Sequence, residues 1–324
     1  MSDEPDQRAP GADSGAAPSR VTSRGAAAPG AAAPGAAAPG GTRPEPDDPL
    51  ALIAAWPEVA QACERARDAC TRLRFHEGLR RRIPEAAAES RVRGAWASAR
   101  LDGARVPLDV VRDLVTGAAR WPQPSDPTWD RVRGAVQATA ETEQLLRYLS
   151  GASAAAAQGL ARLHLAAAQP LVSAEVLGRP RTAADRPDPE FAMLPAPPSD
   201  VRERLAGISD LVRATSAPAP LVAALVHAEI ALVRPFTGGN ALVARAAERA
   251  LLRARGLDPT GVGVPEFGHL EAGATAYTGA LSAYATGTRA GLTAWIEHCA
   301  DAVVAGAHEG ERIADAVRAG RLSD

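Results

Sequence analysis

The sequence predicts an all-α fold, a helical core preceded by an N-terminal helical lobe, on three observations. Apolar residues make up 46% of the chain and aromatics only 4%, and much of the apolar content is alanine. That suits slim helices packed closely rather than a sheet of Val, Ile and aromatic residues. From Pro49 onward, apolar positions recur at steps of three and four residues, the period of a helix with one buried face. Strand signals are almost absent, and any β-hairpin is confined to the loop between Gly178 and Pro198.

In chain order, residues 1–48 are Ala, Pro and Gly with polar residues, and AAAPGAAAPGAAAPG is a pentad repeat. Proline at every fifth residue forbids helix, so a disordered tail is expected there, inert or bound by a Pro-recognising module. Residues 49–150 form the N-terminal helical lobe. DDPLALIAAWPEVAQACERARDACTRLRFHEGLRRR has the helical period with Arg and Glu between the apolar positions. PEAAAESRVRGAWASARLDG is a second helix that stops at Asp102-Gly103, and PLDVVRDLVTGAARW is a third. PQPSDP breaks the chain before the long TWDRVRGAVQATAETEQLLRYLS. Residues 151–324 form the core. SAAAAQGLARLHLAAAQ opens it, and GRPRTAADRPDPEFAMLPAPPSD follows as a Pro-rich loop long enough to suggest function. Helices resume with DVRERLAGISDLVRAT, PAPLVAALVHAEIALV, NALVARAAERALLRARG, TAYTGALSAYATG and RAGLTAWIEHCADAVVAGAHEGERIADAVRAG.

Several function classes drop out early. A net charge of -2 gives no footprint for nucleic acid or an acidic membrane. The chain contains no lysine, which removes the Walker-A, Schiff-base and kinase-type lysines at once. Cys63, Cys70 and Cys299 are an odd set without close metal spacing, expected as buried reduced thiols in a cytoplasmic protein, with a Cys63–Cys70 redox pair as the minor reading. The acidic start has no apolar segment of the signal-peptide kind. The best apolar run, LVAALVHAEIALV, is too short to span a bilayer and carries His and Glu.

The stretch VRPFTGGNALVAR, Val233–Arg245, holds the chemistry. The helix before it is apolar nearly all round and so is central and buried. Pro235 ends it, Gly238 and Gly239 make a turn, and Asn240, the only asparagine of the chain, suits the N-cap of the next helix. A glycine turn feeding a helix N-terminus is an anion site by geometry, formed by the free amides of residues 241–243. His227 and His164 read as packed helix residues, and His269 has no assigned place.

RPFTGGNALVAR resembles the motif of the Fic (Fido) family, His-Pro-Phe-x-Asp/Glu-Gly-Asn-Gly-Arg-x-x-Arg. Pro235, Phe236, Gly239, Asn240 and Arg245 match. Arg234 stands where the family has His, Gly238 where it has an acid, Ala241 for the second Gly and Leu242 for the first Arg. The flanks resemble the family as well: AALVHAEIALVRPF its central helix, LGRPR and PAPPSDV its flap, GALSAYATGTRAGLTAWIEH its later helix pair. SARLDG resembles its inhibitory motif, with Ser98, Asp102 in place of Glu, and Gly103. Together these cover about residues 55–305 in order.

The resemblance implies transfer of AMP or another phosphate-bearing group from a nucleotide such as ATP to a hydroxyl, with the His as base and the acid on Mg²⁺. It implies a phosphate cradle at Gly238, Gly239, Asn240, Ala241 and Leu242, with Arg245 and Arg234 as cations. It also implies that Asp102 pairs with Arg245. Arginine does not deprotonate, so Arg234 is no base, and Gly238 offers Mg²⁺ no ligand. The expectation is therefore a degenerate Fic protein, without catalytic residues or metal, that binds a nucleotide, a phosphate or a protein partner. An active transferase with unorthodox base and metal chemistry is the first alternative, and a structural interaction module without ligand the second.

Overall fold

The computed structural model describes residue 48 and residues 50–149, 155–186 and 188–322. These fall within one compact unit. The expected tail, residues 1–48, lies outside the described residues apart from Asp48, whose carboxylate accepts hydrogen bonds from Thr215 and Ser216.

Twelve α-helices follow one another among the described residues: α1 (Ala51–Ala54), α2 (Pro57–Arg74), α3 (Ile83–Leu101), α4 (Leu108–Thr116), α5 (Pro127–Leu149), α6 (Ala156–Ala168), α7 (Val201–Ala214), α8 (Ala219–Val233), α9 (Asn240–Ala254), α10 (Pro265–Ala272), α11 (Ala274–Tyr284) and α12 (Arg289–Ala319). No strand occurs among the described residues. The loop between Gly178 and Pro198, the one place left open to a hairpin, is a run of turns among the described residues. Its prolines, at 180, 187, 189, 195, 197 and 198, lack the N–H groups that a ladder needs.

Sequence dictates the layout. In α2, buried Val59, Ala62, Cys63, Ala66, Ala69, Cys70 and Leu73 recur at helical spacing and form one stripe, laid against α12. The three cysteines are free and buried, and burial pushes the Cys63 thiol to about 11 and the Cys70 thiol to about 12. In α8, by contrast, twelve of fifteen residues are buried, because α2, α7, α9, α11 and α12 surround it. Helices on both sides of residue 150 interpack: α3 meets α10, and α5 meets both α6 and α9.

Close helix approach depends on missing side chains. A Cβ at Gly268 of α10 would overlap the Ala302 carbonyl of α12. One at Gly306 would lie 2.6 Å from the Val264 carbonyl oxygen, and one at Gly310 2.7 Å from Leu73 Cδ2. Helix α10 escaped sequence reading because eight residues give barely two turns of period.

Candidate functional site

The centre of the molecule is the turn joining α8 to α9. Helix α8 ends at Val233, and Arg234 caps it in the left-handed region at φ 43° and ψ 63°. Gly239 is also left-handed, at φ 76°, a conformation that glycine adopts without penalty. Helix α9 begins at Asn240, so Gly239 is the N-cap and the expected capping by Asn240 does not occur. The asparagine reaches backward instead. Its Oδ1 accepts the Phe236 N–H at 3.0 Å, and its Nδ2 donates to the Phe236 carbonyl at 2.9 Å and to Asp188 Oδ2 at 2.6 Å. Ser, Thr and Asp cannot offer one acceptor with two amide donors, which explains an asparagine at this one place.

The amides at the start of α9 are met by carboxylates of the chain itself. Asp188 Oδ2 accepts the Asn240 N–H at 3.3 Å, and Glu190 Oε2 accepts the Ala241 N–H at 2.9 Å. Burial, then the neighbouring Asp188 and Asp102 charges, push the Glu190 carboxyl well above its ordinary range. Both acids come from the Pro-rich loop, and neither was singled out in the sequence. The only available signal was an Asp and a Glu flanking Pro189 in a chain whose glycine turn invites an anion.

Two arginines lock that loop in place. Arg181 is buried; its Nε donates to the Arg234 carbonyl at 2.8 Å and its Nη2 to the carbonyls of Pro198 at 2.7 Å and Val233 at 3.0 Å. It thereby satisfies carbonyls that a helix C-terminus leaves open. Arg234 donates from Nη1 to the Phe191 carbonyl at 3.3 Å and from Nη2 to the Pro195 carbonyl. Its guanidinium is thus engaged with the loop backbone. The Thr237 hydroxyl in the turn is buried with no partner among the described residues.

His164 of α6 supports the turn from below. Its ring stacks on Phe236, with centroids 4.0 Å apart and planes 3° from parallel. Its Nδ1 accepts the Gly178 N–H at 2.9 Å, which leaves the proton on Nε2 to be donated to the Gly238 carbonyl at 3.1 Å. Burial depresses this imidazole to about 4.

Arg245 lies one turn into α9 and is fully buried. Its Nη2 meets Asp102 Oδ2 at 2.6 Å, and its Nε donates to Ser98 Oγ at 2.7 Å. Asp102 caps the end of α3, and Gly103 follows at φ 91°. A deeper polar cluster lies beyond, where Glu248 Oε2 touches His227 Nδ1 at 2.6 Å and His269 Nε2 at 2.8 Å. Among the described residues, these three are the group whose metal-ligating atoms lie within 4.8 Å of one another.

No protein-family model matches the chain, and no curated protein matches it. Solved structures do match. A Fic family protein from Desulfovibrio desulfuricans G20 superposes with a TM-score of 0.63 at 19% identity, over 78% of this chain and 74% of that one. Residues 134–508 of Fic-1 from C. elegans give 0.62 at 19% identity, over 83% and 75%. A Fic domain containing signaling protein from Bacteroides thetaiotaomicron VPI-5482 gives 0.53 at 11% identity, over 80% and 98%. This chain has the Fic fold.

Within that fold, the motif positions divide into two groups. Asn240, Ala241 and Arg245 converge with Ser98 and Asp102 around the turn, while Arg234 turns to the loop. Leu242 is buried with apolar neighbours, beside Gly134 of α5. Gly238 offers Mg²⁺ no ligand, and a Cβ there would lie 2.9 Å from Val172 Cγ1. No helix among the described residues is long and apolar enough to cross a membrane.

Proposed function

We propose that this Fic-fold chain binds a phosphate-bearing ligand, such as a nucleotide, at its motif turn without transferring AMP, and that Asp188 and Glu190 hold the turn closed until the ligand displaces them. The observation that carries this reading is the pair of carboxylates seated on the Asn240 and Ala241 amides. A helix N-terminus attracts anions, and here two acidic side chains stand where phosphate oxygens would be received. The unpartnered Thr237 hydroxyl supplies a further contact for such a ligand. Absence of transfer follows from the chemistry of the motif. Arg234 carries no removable proton near neutral pH, and His164 has both ring nitrogens committed to backbone groups.

Calorimetric titration with ATP and with inorganic phosphate tests the reading, using the wild type and the doubly neutral Asp188→Asn/Glu190→Gln chain. Weak binding in the wild type and about tenfold tighter binding in the variant are expected, because an amide competes less well than a carboxylate for an N–H. No binding to either chain would refute it. That outcome favours a structural interaction module whose turn is permanently filled from within, a reading supported by the fact that the Asn240 and Ala241 N–H groups already have partners.

A further inference from the structure

We propose that His227, Glu248 and His269 form a three-residue site for one divalent cation of the zinc class, independent of the motif turn, with a water or the second Glu248 carboxylate oxygen completing the coordination. The three side chains come from α8, α9 and α10 and converge where all three are buried, at 0%, 1% and 0% exposure. Two imidazole nitrogens and one carboxylate oxygen are a donor set suited to zinc and its first-row neighbours. The ligating atoms, His227 Nδ1, Glu248 Oε2 and His269 Nε2, lie within 4.8 Å of one another.

The surroundings match what a metal-bound histidine requires. Each imidazole has its second nitrogen held by a separate partner: His227 Nε2 by the Tyr277 hydroxyl at 2.7 Å, and His269 Nδ1 by His298 Nε2 at 3.1 Å. Such outer contacts fix ring orientation and tautomer in metal sites. Trp295 packs against both rings, edge-on to His227 with centroids 5.1 Å apart and stacked on His269 at 6.3 Å. Without a cation, a buried carboxylate receives only two imidazole N–H groups. The neighbouring guanidiniums have carboxylates of their own: Arg245 is paired with Asp102 and Arg249 with Glu266. A divalent ion seated between these atoms would take the place of the two N–H groups on the carboxylate.

Loading conserves protons on the protein. In the metal-free arrangement both imidazoles point an N–H at Glu248 Oε2. On binding, each ring moves its proton to the other nitrogen: His227 then donates from Nε2 to Tyr277 Oη, whose own hydroxyl proton rotates away from the ring, and His269 donates from Nδ1 to His298 Nε2, which requires His298 to shift its proton from Nε2 to Nδ1. The ligand atoms must also separate to about 3.3 Å, the spacing set by metal–ligand bonds of about 2.0–2.1 Å in a tetrahedron. The present contacts of 2.6 and 2.8 Å therefore open by about 0.7 and about 0.5 Å, within reach of small ring tilts.

The test refolds the full chain with one equivalent of Co²⁺ or Zn²⁺, removes loose ions by dialysis and measures bound metal, visible absorption and melting temperature. One ion per chain, tetrahedral d–d bands without a thiolate charge-transfer band, and a melting temperature raised by about 5 °C or more are expected. His298→Ala, which removes an outer partner and no ligand, should weaken Co²⁺ binding about tenfold. Glu248→Gln should abolish it. A wild-type chain that retains no metal and melts unchanged overturns the proposal, as does a thiolate band placing the ion on Cys63, Cys70 or Cys299. Because the wild-type measurement decides alone, misfolding of a variant leaves the result intact. ATP and phosphate titrations are read on a different site, so failure of the motif-turn reading is separately visible.

Discussion

Removing the carboxylate at the end of α3 is the most exacting perturbation of this bundle. Asp102→Ala takes away the carboxylate bonded to Arg245 at 2.6 Å and leaves that guanidinium with Ser98 and the Tyr277 hydroxyl. Arg245 is 1% exposed and the Asp102 side chain 15%, so water reaches the pair from one side only. A hydrogen bond to a charged group contributes about 1.5–3 kcal/mol, and breaking a fully buried pair costs about 3–5 kcal/mol. Two features reduce the loss here. Ser98 Oγ and its carbonyl still accept from Arg245, and loss of Asp102 relieves its repulsion of Asp188 and Glu190. A destabilisation of about 2 kcal/mol is expected, a drop of roughly 3–4 °C in melting temperature for a chain of this size. Thermal and urea denaturation of Asp102→Ala, Arg245→Met and the double variant give the coupling. Coupling of about 1 kcal/mol or more is expected; a value below about 0.5 kcal/mol would refute the reasoning and reduce Asp102 to a helix-end residue.

Three other perturbations have definite outcomes. His164 is held neutral, with its pKa lowered from 6.5 to about 4, so the unfolded chain binds the extra proton between those values. Stability from this group is full above pH 6.5 and falls as pH drops toward 4, by up to about 3 kcal/mol. Urea titrations should show that this slope is missing in His164→Gln. Gly268→Ala forces a methyl into the Ala302 carbonyl and should cost about 3 kcal/mol despite alanine's better helix propensity, read as a lowered melting temperature; an unchanged one would show that α10 can move off α12 freely. Arg234→His should yield no transfer of labelled AMP, and adding Gly238→Asp should destabilise the turn against Val172 rather than rescue transfer. Radiolabel on any target protein would contradict this.

Much of the fold was legible because its signals are local. The stripe of α2, the apolar α8 ending at Val233 and the Asp102-Gly103 stop are each written within a few turns of chain. The pairing of Asp102 with Arg245 was implied by the resemblance of SARLDG and RPFTGGNALVAR to the Fic motifs, and nothing in helix spacing alone would have given it. The role of the Pro-rich loop was not legible. Whether Asp188 and Glu190 face solvent or the α9 amides depends on where Arg181 anchors the loop, and that anchorage uses backbone carbonyls, which leave no trace in residue identity. His164 was legible as a packed helix residue but its partners were not, and His269 could not be placed, for a related reason: the partners are a turn carbonyl and residues from two other helices, contacts between segments distant in sequence.

The alanine-lined, glycine-notched crossings of α10 and α12 bear on how this protein responds to temperature. Helices held by near-touching backbones bury less hydrocarbon per residue than helices separated by Leu and Phe. Heat-capacity change on unfolding scales with the apolar surface exposed, at about 0.45 cal/mol/K per Å². A smaller change flattens the curve of stability against temperature, so the fold varies less in stability between cold and warm conditions than its length alone suggests, and its cold-denaturation limit moves further below freezing.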